Sequence, residues 1–509
     1  MWLCGAIAAS AQIREQITVE AVDVPVYVFA KGKPVRQLSK GDFELFVNGK
    51  PQPIDYFEMV DFTAPPPAAP ASPEASPAAQ PDLRDRRMFL LLFDLVFNRP
   101  AAVDRSRRAA IHMVDQALPG DLFSVAVITQ KHGIVFAIPF LRDRDAIRRA
   151  ILQLSPSSGL DPLALSITGA EREMAQAWVP IANPEDGGGR GKLLNEDPLP
   201  EILDLAMTEL RDRELALTKD HIETIAQLAA RLREIEGYKH VILFSEGFRF
   251  DPGTLSTTFP IVDGMASAFQ TADALLHTVD LTVPATGAGD PTVRSAGTGP
   301  AVVPQSENES LLWLSAKTGG SWIHWTNLLA PALEELSASY GTVYRLGFKP
   351  AAARKGHNEI DVKVKNIPPG TKVSFRKGFV GTVPAKTAPD ALQLADIVQN
   401  DTPQTGTPPE VSVIGRRIDV IVPVIQLSKQ LGAVDGATVM LYVFDTNGVP
   451  VVSSEKTFKI LEHAAADRVI EQKLVLGPGS YVAKVLMRAG ESLAFVKQPF
   501  EIEADQPSQ

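Results

Sequence analysis

Cysteine is nearly missing from this chain: of 509 residues, Cys4 is the only one. One thiol closes no disulfide within the chain, so its domains must rest on apolar cores. Positive charge is also in deficit, with 50 Lys and Arg against 60 Asp and Glu and a net charge of -10. That balance argues against a nucleic-acid surface, which would show clustered basic residues, and against docking on anionic lipid. Long apolar runs are lacking too. The stretch WLCGAIAA at residues 2–9 is too short to span a bilayer, and no later segment does better. The eight histidines are dispersed, with no H-E-x-x-H and no close pair. His324, between Trp322 and Trp325, reads as a strand residue and not as a ligand.

The apolar start is followed by Ala9-Ser10-Ala11, a small-x-small pattern resembling a signal-peptidase site, with Gln12 as the new terminus. No Lys or Arg precedes it, so residues 1–12 read as a truncated leader. The expectation is an exported protein, periplasmic or secreted, with no membrane span.

What is present supports about three folded domains, since 509 residues exceed one core and 45% hydrophobic content is ordinary for globular chains. Residues 13–62 read as β-structure, with Asn48-Gly49 as a tight-hairpin signal inside FELFVNGKPQPIDYF. Residues 63–83, rich in Pro and Ala, form a linker. Residues 84–339 alternate strand and helix signals. MFLLLF (88–93), LFSVAVI (122–128), IVFAIPF (134–140), KHVILF (239–244), ALLHTVDL and SWIHW read as strands. Between them fall helices, one with Val103, Arg107, Ala110, Ile111 and Val114 in helical spacing, others near 163–177, 201–236 and 262–271. One opens on the capping box Ser306-x-x-Glu309. Residues 179–200 form a patternless insertion. Strand signals return at 340–383, a Pro/Thr/Gln-rich linker covers 384–409, and residues 410–505 read as a separate β-sandwich with turns at Asp445–Gly448 and at GPGS, 477–480.

The strands MFLLLF and KHVILF carry the chemistry. Each is an unbroken apolar run, as in a strand buried on both faces. The first runs into Asp94 and the second into Ser245-Glu246-Gly247. Open α/β sheets place ligands just past the carboxyl ends of such strands. Two acids at two strand tops therefore suggest one shared site.

These segments, with GKPVRQLSKGDFELFVNGKPQPIDYFE before them, LSAKTGGSWIHW towards the end, and YRLGFKP and VSFRKGF after, resemble the bacterial VWFA-related proteins. The resemblance covers roughly residues 17–380. It implies an α/β plus β chain: a Rossmann-like von Willebrand factor A domain inserted in an Ig-like β-sandwich, followed by a C-terminal β-sandwich. It also implies a metal-ion-dependent adhesion site. In its full form that site uses D-x-S-x-S after the first strand, a Thr from a later loop and an Asp after the fourth strand, holding Mg²⁺ or Ca²⁺ through hard oxygens. Here Asp94 matches the first position, Val96 and Asn98 replace the two Ser, Asp161 falls nearest the Thr, and Glu246 replaces the Asp. Asp94, Asn98, Asp161 and Glu246 are the candidate metal ligands. Val96 offers no ligand atom, which puts the metal in question.

Other motifs fail. GGGRGK at 187–192 lacks the glycine spacing of a phosphate loop and has Leu193 where Ser or Thr should follow. FSEGF is not G-x-S-x-G. Arg105, Arg107 and Arg108 read as a solvated helix face. The expected function is a non-catalytic extracytoplasmic adhesion protein that binds a protein partner through this degenerate site. The alternatives are a structural envelope component with a lapsed metal site and a metal-dependent hydrolase.

Overall fold

The computed structural model describes residues 21–64, 83–154, 199–248, 255–282, 309–324, 326, 328–350, 356–381 and 389–503. The leader-like residues 1–12, the loop at 155–162 with Asp161, the helix at 163–177, Ser306 and most of the two low-complexity stretches at 65–82 and 179–198 lie outside the described residues. In chain order the elements begin with β1 (Val22–Ala30), β2 (Lys33–Pro34), β3 (Phe43–Val47), β4 (Lys50–Gln52) and β5 (Tyr56–Asp61). The alternating region holds β6 (Arg87–Asp94), α1 (Pro100–Asp115), β7 (Leu122–Thr129), β8 (Gly133–Leu141), α2 (Arg144–Gln153) and α3 (Leu199–Leu232). It continues with β9 (Tyr238–Ser245), α4 (Leu255–Thr271), β10 (Ala274–Asp280), α5 (Glu309–Thr318), β11 (Trp322–Ile323) and α6 (Leu329–Ser339). Then follow β12 (Thr342–Phe348), β13 (His357–Val364), β14 (Lys372–Phe375) and β15 (Gly378–Val380). The last part comprises α7 (Ala391–Asn400), β16 (Glu410–Ile414), β17 (Arg417–Val422), α8 (Val424–Leu431), β18 (Val434–Phe444), β19 (Pro450–Ile460), β20 (Arg468–Lys473), β21 (Gly479–Ala489) and β22 (Ser492–Ile502).

A six-stranded sheet of order β11-β10-β9-β6-β7-β8 forms the centre, parallel except where β8 returns antiparallel to β7. Every residue of β6 is buried, because alternate side chains feed opposite layers. Phe89, Leu91 and Phe93 meet α1, α2 and α6 on one face. Met88, Leu90 and Leu92 meet α3, α4 and α5 on the other. SWIHW, read as a five-residue strand, pairs only through Trp322 and Ile323.

The β segments on either side of this unit pair with each other. β1 runs antiparallel to β12 and β14, and β12 to β5. A second sheet, β15-β13-β3-β4, faces the first across a core of Val24, Val26, Leu45, Tyr344, Leu346 and Phe379 among others. Asn48 and Gly49 both take positive φ, 50° and 75°, which is what a two-residue hairpin of this hand requires. The joints of the α/β unit lie together: Arg87, at its entry, donates from Nη1 to the Ser337 carbonyl at 2.8 Å, near its exit.

The carboxyl-terminal part packs β16-β17-β20 against β19-β18-β21-β22 around one core. Two features depart from expectation. GPGS is no hairpin turn, because β20 pairs with β17 while β21 pairs with β18 and β22, so this segment crosses between sheets. The stretch read as a linker carries α7, whose sequence ALQLADIVQN has no proline and a helix-capping Asp390 that accepts from Gln393 N–H at 3.0 Å. Averaging composition over the whole stretch hides this amphipathic turn sequence.

Helix α7 clamps two bodies together. Leu392 joins the α/β core, while Ile397 and Val398 pack with Phe444, Leu486 and Leu493 of the last sandwich. Asp396 pairs with the buried Arg86 guanidinium at 3.1 Å, and Arg86 also donates to the Glu236 carbonyl at 2.7 Å. Lys484 donates to the Val398 carbonyl at 2.8 Å.

At the joint between sandwich and α/β unit lies a buried histidine pair. His240 Nδ1 and His277 Nε2 are 3.1 Å apart, and Ser321 N–H donates to His277 Nδ1 at 3.0 Å. His277 Nδ1 therefore accepts, its Nε2–H donates to His240 Nδ1, and both rings are neutral. The Tyr340 ring packs edge-on against both at 4.8 Å, and Tyr27 meets His240 at 5.5 Å. Burial pushes His277 down to about 3 and His240 well below the usual imidazole range, the latter aided by its neighbours His277 and Arg87.

Two outcomes follow. The unfolded chain takes up protons that these buried rings refuse, so their share of stability is complete above about pH 6.5 and declines as pH falls towards 3. The slope is about 1.4 kcal/mol per pH unit for each histidine, measurable as urea midpoints between about pH 7 and about pH 5, and shallower in His277→Gln. Separately, Asp396→Ala leaves Arg86 buried without its carboxylate and should cost about 3–5 kcal/mol, read from chemical denaturation.

Candidate functional site

Strand order reverses at β6. The chain leaves β6 for β7 on one side and later places β9 on the other, which makes the carboxyl edge between β6 and β9 a topological switch point. The register pairs Phe93 with Phe244 and Asp280 with Ser245, so Asp94, Ser245 and Asp280 end neighbouring strands side by side.

Asp94 is fully buried. Its Oδ1 accepts from Val96 N–H at 2.8 Å and Phe97 N–H at 3.1 Å, and its Oδ2 accepts from the Ser245 hydroxyl at 2.7 Å. His221 of α3 places Nε2 3.5 Å from the same Oδ2. That imidazole is enclosed by the edges of Phe97 and Phe248, with centroids 5.0 and 5.7 Å away. Burial lowers its pKa against the pull of Asp94, so the ring is neutral at pH 7.

Asn98 bridges the two strand tops. Its Nδ2 donates to the Phe244 carbonyl at 2.8 Å and its Oδ1 accepts from Glu246 N–H at 2.6 Å. Glu246 turns onto Arg99: Oε2 accepts from the Arg99 backbone N–H at 2.6 Å, and Oε1 accepts from Nε at 2.9 Å and from Nη2 at 2.5 Å. The Arg99 side chain is 60% exposed and Glu246 only 8%, so the pair stands at the surface with its carboxylate inside. Asp280 accepts from the Thr282 N–H and hydroxyl, and burial outweighs those bonds to raise its pKa.

The edge thus brings Asp94, Asn98 and Glu246 together, while Asp161 lies outside the described residues. This arrangement does not fit a divalent ion. A carboxylate has about four acceptor positions, and three hydrogen bonds plus the His221 edge account for those of Asp94. The Asn98 oxygen is taken by a backbone donor. Glu246 is held by a guanidinium whose positive charge would repel a metal at the same place. Val96, where a hydroxyl ligand would stand, is buried in the apolar core on the α3 side. Among the described residues, no group of three or more His, Cys, Asp or Glu is placed to hold a metal ion.

Sequence reasoning passed over Arg99, Ser245 and His221. Arg99 had a signal, since it directly follows Asn98 and precedes the helix-opening Pro100. Ser245 was visible as the residue ending β9. His221 had none, because nothing local tells which turn of a 34-residue helix faces a strand top. Arg105 and Arg107 are also more than a solvated face: Arg105 donates to the Leu281 carbonyl, and Arg107 to the Ile151 carbonyl at 3.1 Å.

No protein-family model matches the chain, and no curated protein matches it. Solved structures similar to it include an aerotolerance-related membrane protein from Bacteroides fragilis NCTC 9343, at 12% identity and TM-score 0.25 over 50% of this chain and 98% of that one. A von Willebrand factor type A protein from Catenulispora acidiphila aligns over 82% of this chain and 66% of its own, at 9% identity and TM-score 0.25. The pilus adhesin SpaC from Lactobacillus rhamnosus GG aligns over 82% and 53%, at 8% identity and TM-score 0.27. Likenesses this low carry no argument about function.

The bridge by Asn98 is testable. Asn98→Ala deprives a buried carbonyl and a buried N–H of their partners at once and should cost about 2–4 kcal/mol, read from urea unfolding.

Proposed function

We propose that this chain is a non-catalytic protein-binding or adhesion protein that works outside the cytoplasm, with the strand-top edge of a von Willebrand factor A-like domain as its contact surface and Ig-like and C-terminal sandwiches as its base. One observation carries the reading. Where the resemblance implies a metal ion, this edge has a built-in ion pair, Arg99 with Glu246, on a buried frame of Asp94, Asn98 and Ser245. The pair gives the edge a positive charge at the surface, which an acidic side chain of a protein partner would match. Mg²⁺ or Ca²⁺ is not needed in this arrangement.

Hydrolysis finds no support here. Ser245 is fully buried and its hydroxyl is committed to Asp94, so it is neither reachable nor paired with a base that could relay its proton. An extracytoplasmic place rests on the leader-like residues 1–12. Among the described residues, no helix is long and apolar enough to cross a membrane. A second reading, a structural envelope component whose contact surface lies elsewhere, is favoured by α7, which locks the α/β unit to the last sandwich.

Calorimetric titration with Mg²⁺, Mn²⁺ and Ca²⁺ should give no saturable heat for the wild type or for Asp94→Ala. Saturable heat that Asp94→Ala removes would return the metal to the site. Binding of the purified chain to envelope extract should survive a chelator and weaken at least about five-fold in Arg99→Glu, roughly 1 kcal/mol. Binding that ignores Arg99→Glu would favour the structural reading.

A further inference from the structure

A second charged feature lies at the other end of the central sheet. Tyr238 opens β9 and Ser245 closes it, which separates the two ends by about 23 Å at ~3.3 Å per residue. Near the Tyr238 end, the first sandwich and the connection into β6 enclose a cleft of about 440 Å³. Arg345 of β12 forms its floor, with 7% of its surface exposed.

Three carboxylates converge on that guanidinium. Arg345 Nε donates to Asp23 Oδ2 at 3.0 Å, Nη1 donates to Glu58 Oε2 at 2.9 Å, and Asp85 Oδ1 lies 3.8 Å from Nη1. Arg84 also lines the cleft, so three negative groups meet two positive ones and the lining keeps a net charge of one negative. Two oxygens there are short of a donor. Asp23 Oδ1 is buried with no hydrogen-bond partner among the described residues. So is the hydroxyl of Tyr238, a residue only 6% exposed that feels the charges of Arg345, Asp23 and Asp85. Buried polar atoms without partners are rare, and two around one shared guanidinium indicate a missing cationic donor. Burial raises the Asp23 pKa despite Arg345, in keeping with a carboxylate that its one cation does not fully compensate. The Tyr56 ring, 48% exposed, supplies an aromatic wall at the cleft.

We propose that this cleft is a binding site for an organic cation, the ammonium or guanidinium of a lysine or arginine side chain on a protein partner. Such a group bonds Asp23 Oδ1, adds the charge the lining lacks and lies against the Tyr56 ring. A divalent metal suits the cleft less well, since Arg345 already occupies the point where the carboxylates converge. The site is separate from the strand-top edge, and neither depends on the other.

The test uses the full chain and three cationic probes, Nα-acetyl-lysine amide, Nα-acetyl-arginine amide and spermidine, with Nα-acetyl-glutamate amide as the anionic control. Chemical-shift or calorimetric titration should show saturable millimolar binding of the lysine or arginine probe and none of the control. Affinity should fall at least about ten-fold in Asp23→Asn and about three-fold in Tyr56→Ala, with unchanged melting curves showing that both variants fold. Glu58→Gln provides a second charge variant should Asp23→Asn unfold. Absence of saturation, equal affinity in every charge variant, or equal binding of the control would overturn the proposal. Spermidine binding more tightly than either amino-acid probe, and lost in the same variants, would also overturn it by assigning the cleft to a free polyamine.

Discussion

Strand β6 is apolar and buried from end to end, and this one constraint organises much of the molecule. A strand with two apolar faces needs a layer on each side, which only a sheet between two sets of helices supplies. Its first residue, Arg87, is charged yet buried, and is held by both oxygens of Asp121 at 2.7 Å. Its last, Asp94, is equally buried and must be satisfied by neighbours. Polar groups at both ends of a buried strand oblige the surrounding loops to supply partners. The strand top is where that obligation is met by Ser245, the Val96 and Phe97 amides and, at its border, His221.

The same obligation explains why the edge is self-contained. A metal-binding edge keeps oxygens with lone pairs turned towards an open position. Here the amide of Asn98 is used to latch β6 to β9, and Glu246 is clasped by the adjacent Arg99. The substitution of an apolar Val96 inside the motif fits with this, since its side chain adds to the core on the α3 side instead of facing an ion. A site that satisfies its own charges can offer shape and a surface ion pair to a partner, without depending on cation supply.

Elements with strong local signals were legible. MFLLLF, LFSVAVI and KHVILF read as buried strands because their composition and length leave no other use for so many adjacent apolar side chains. Asn48-Gly49 read as a hairpin because few other pairs tolerate two positive φ angles. Segments whose role depends on a distant partner were not legible. Helix α7 hides within a Pro-rich stretch and gains its place from Arg86, some 310 residues earlier. GPGS has turn chemistry, but only the packing of two sheets decides that it joins strands that do not pair.

The candidate site divides the same way. Asp94, Asn98 and Glu246 could be picked out by their position after two apolar strands, since the end of such a strand is set by where hydrophobicity stops. Their neighbourhood at one edge follows from parallel pairing of β6 with β9, which no local pattern encodes. Which partners their oxygens take was settled by approach in space: Arg99 folds back on Glu246 and His221 arrives from a helix more than a hundred residues away. Sequence alone determined that acids end two buried strands, because burial and strand length are properties of the local pattern. Only the tertiary structure decided whether those acids face an ion or one another's neighbours, because hydrogen-bond partnership depends on distances of a few ångströms between segments the chain keeps far apart.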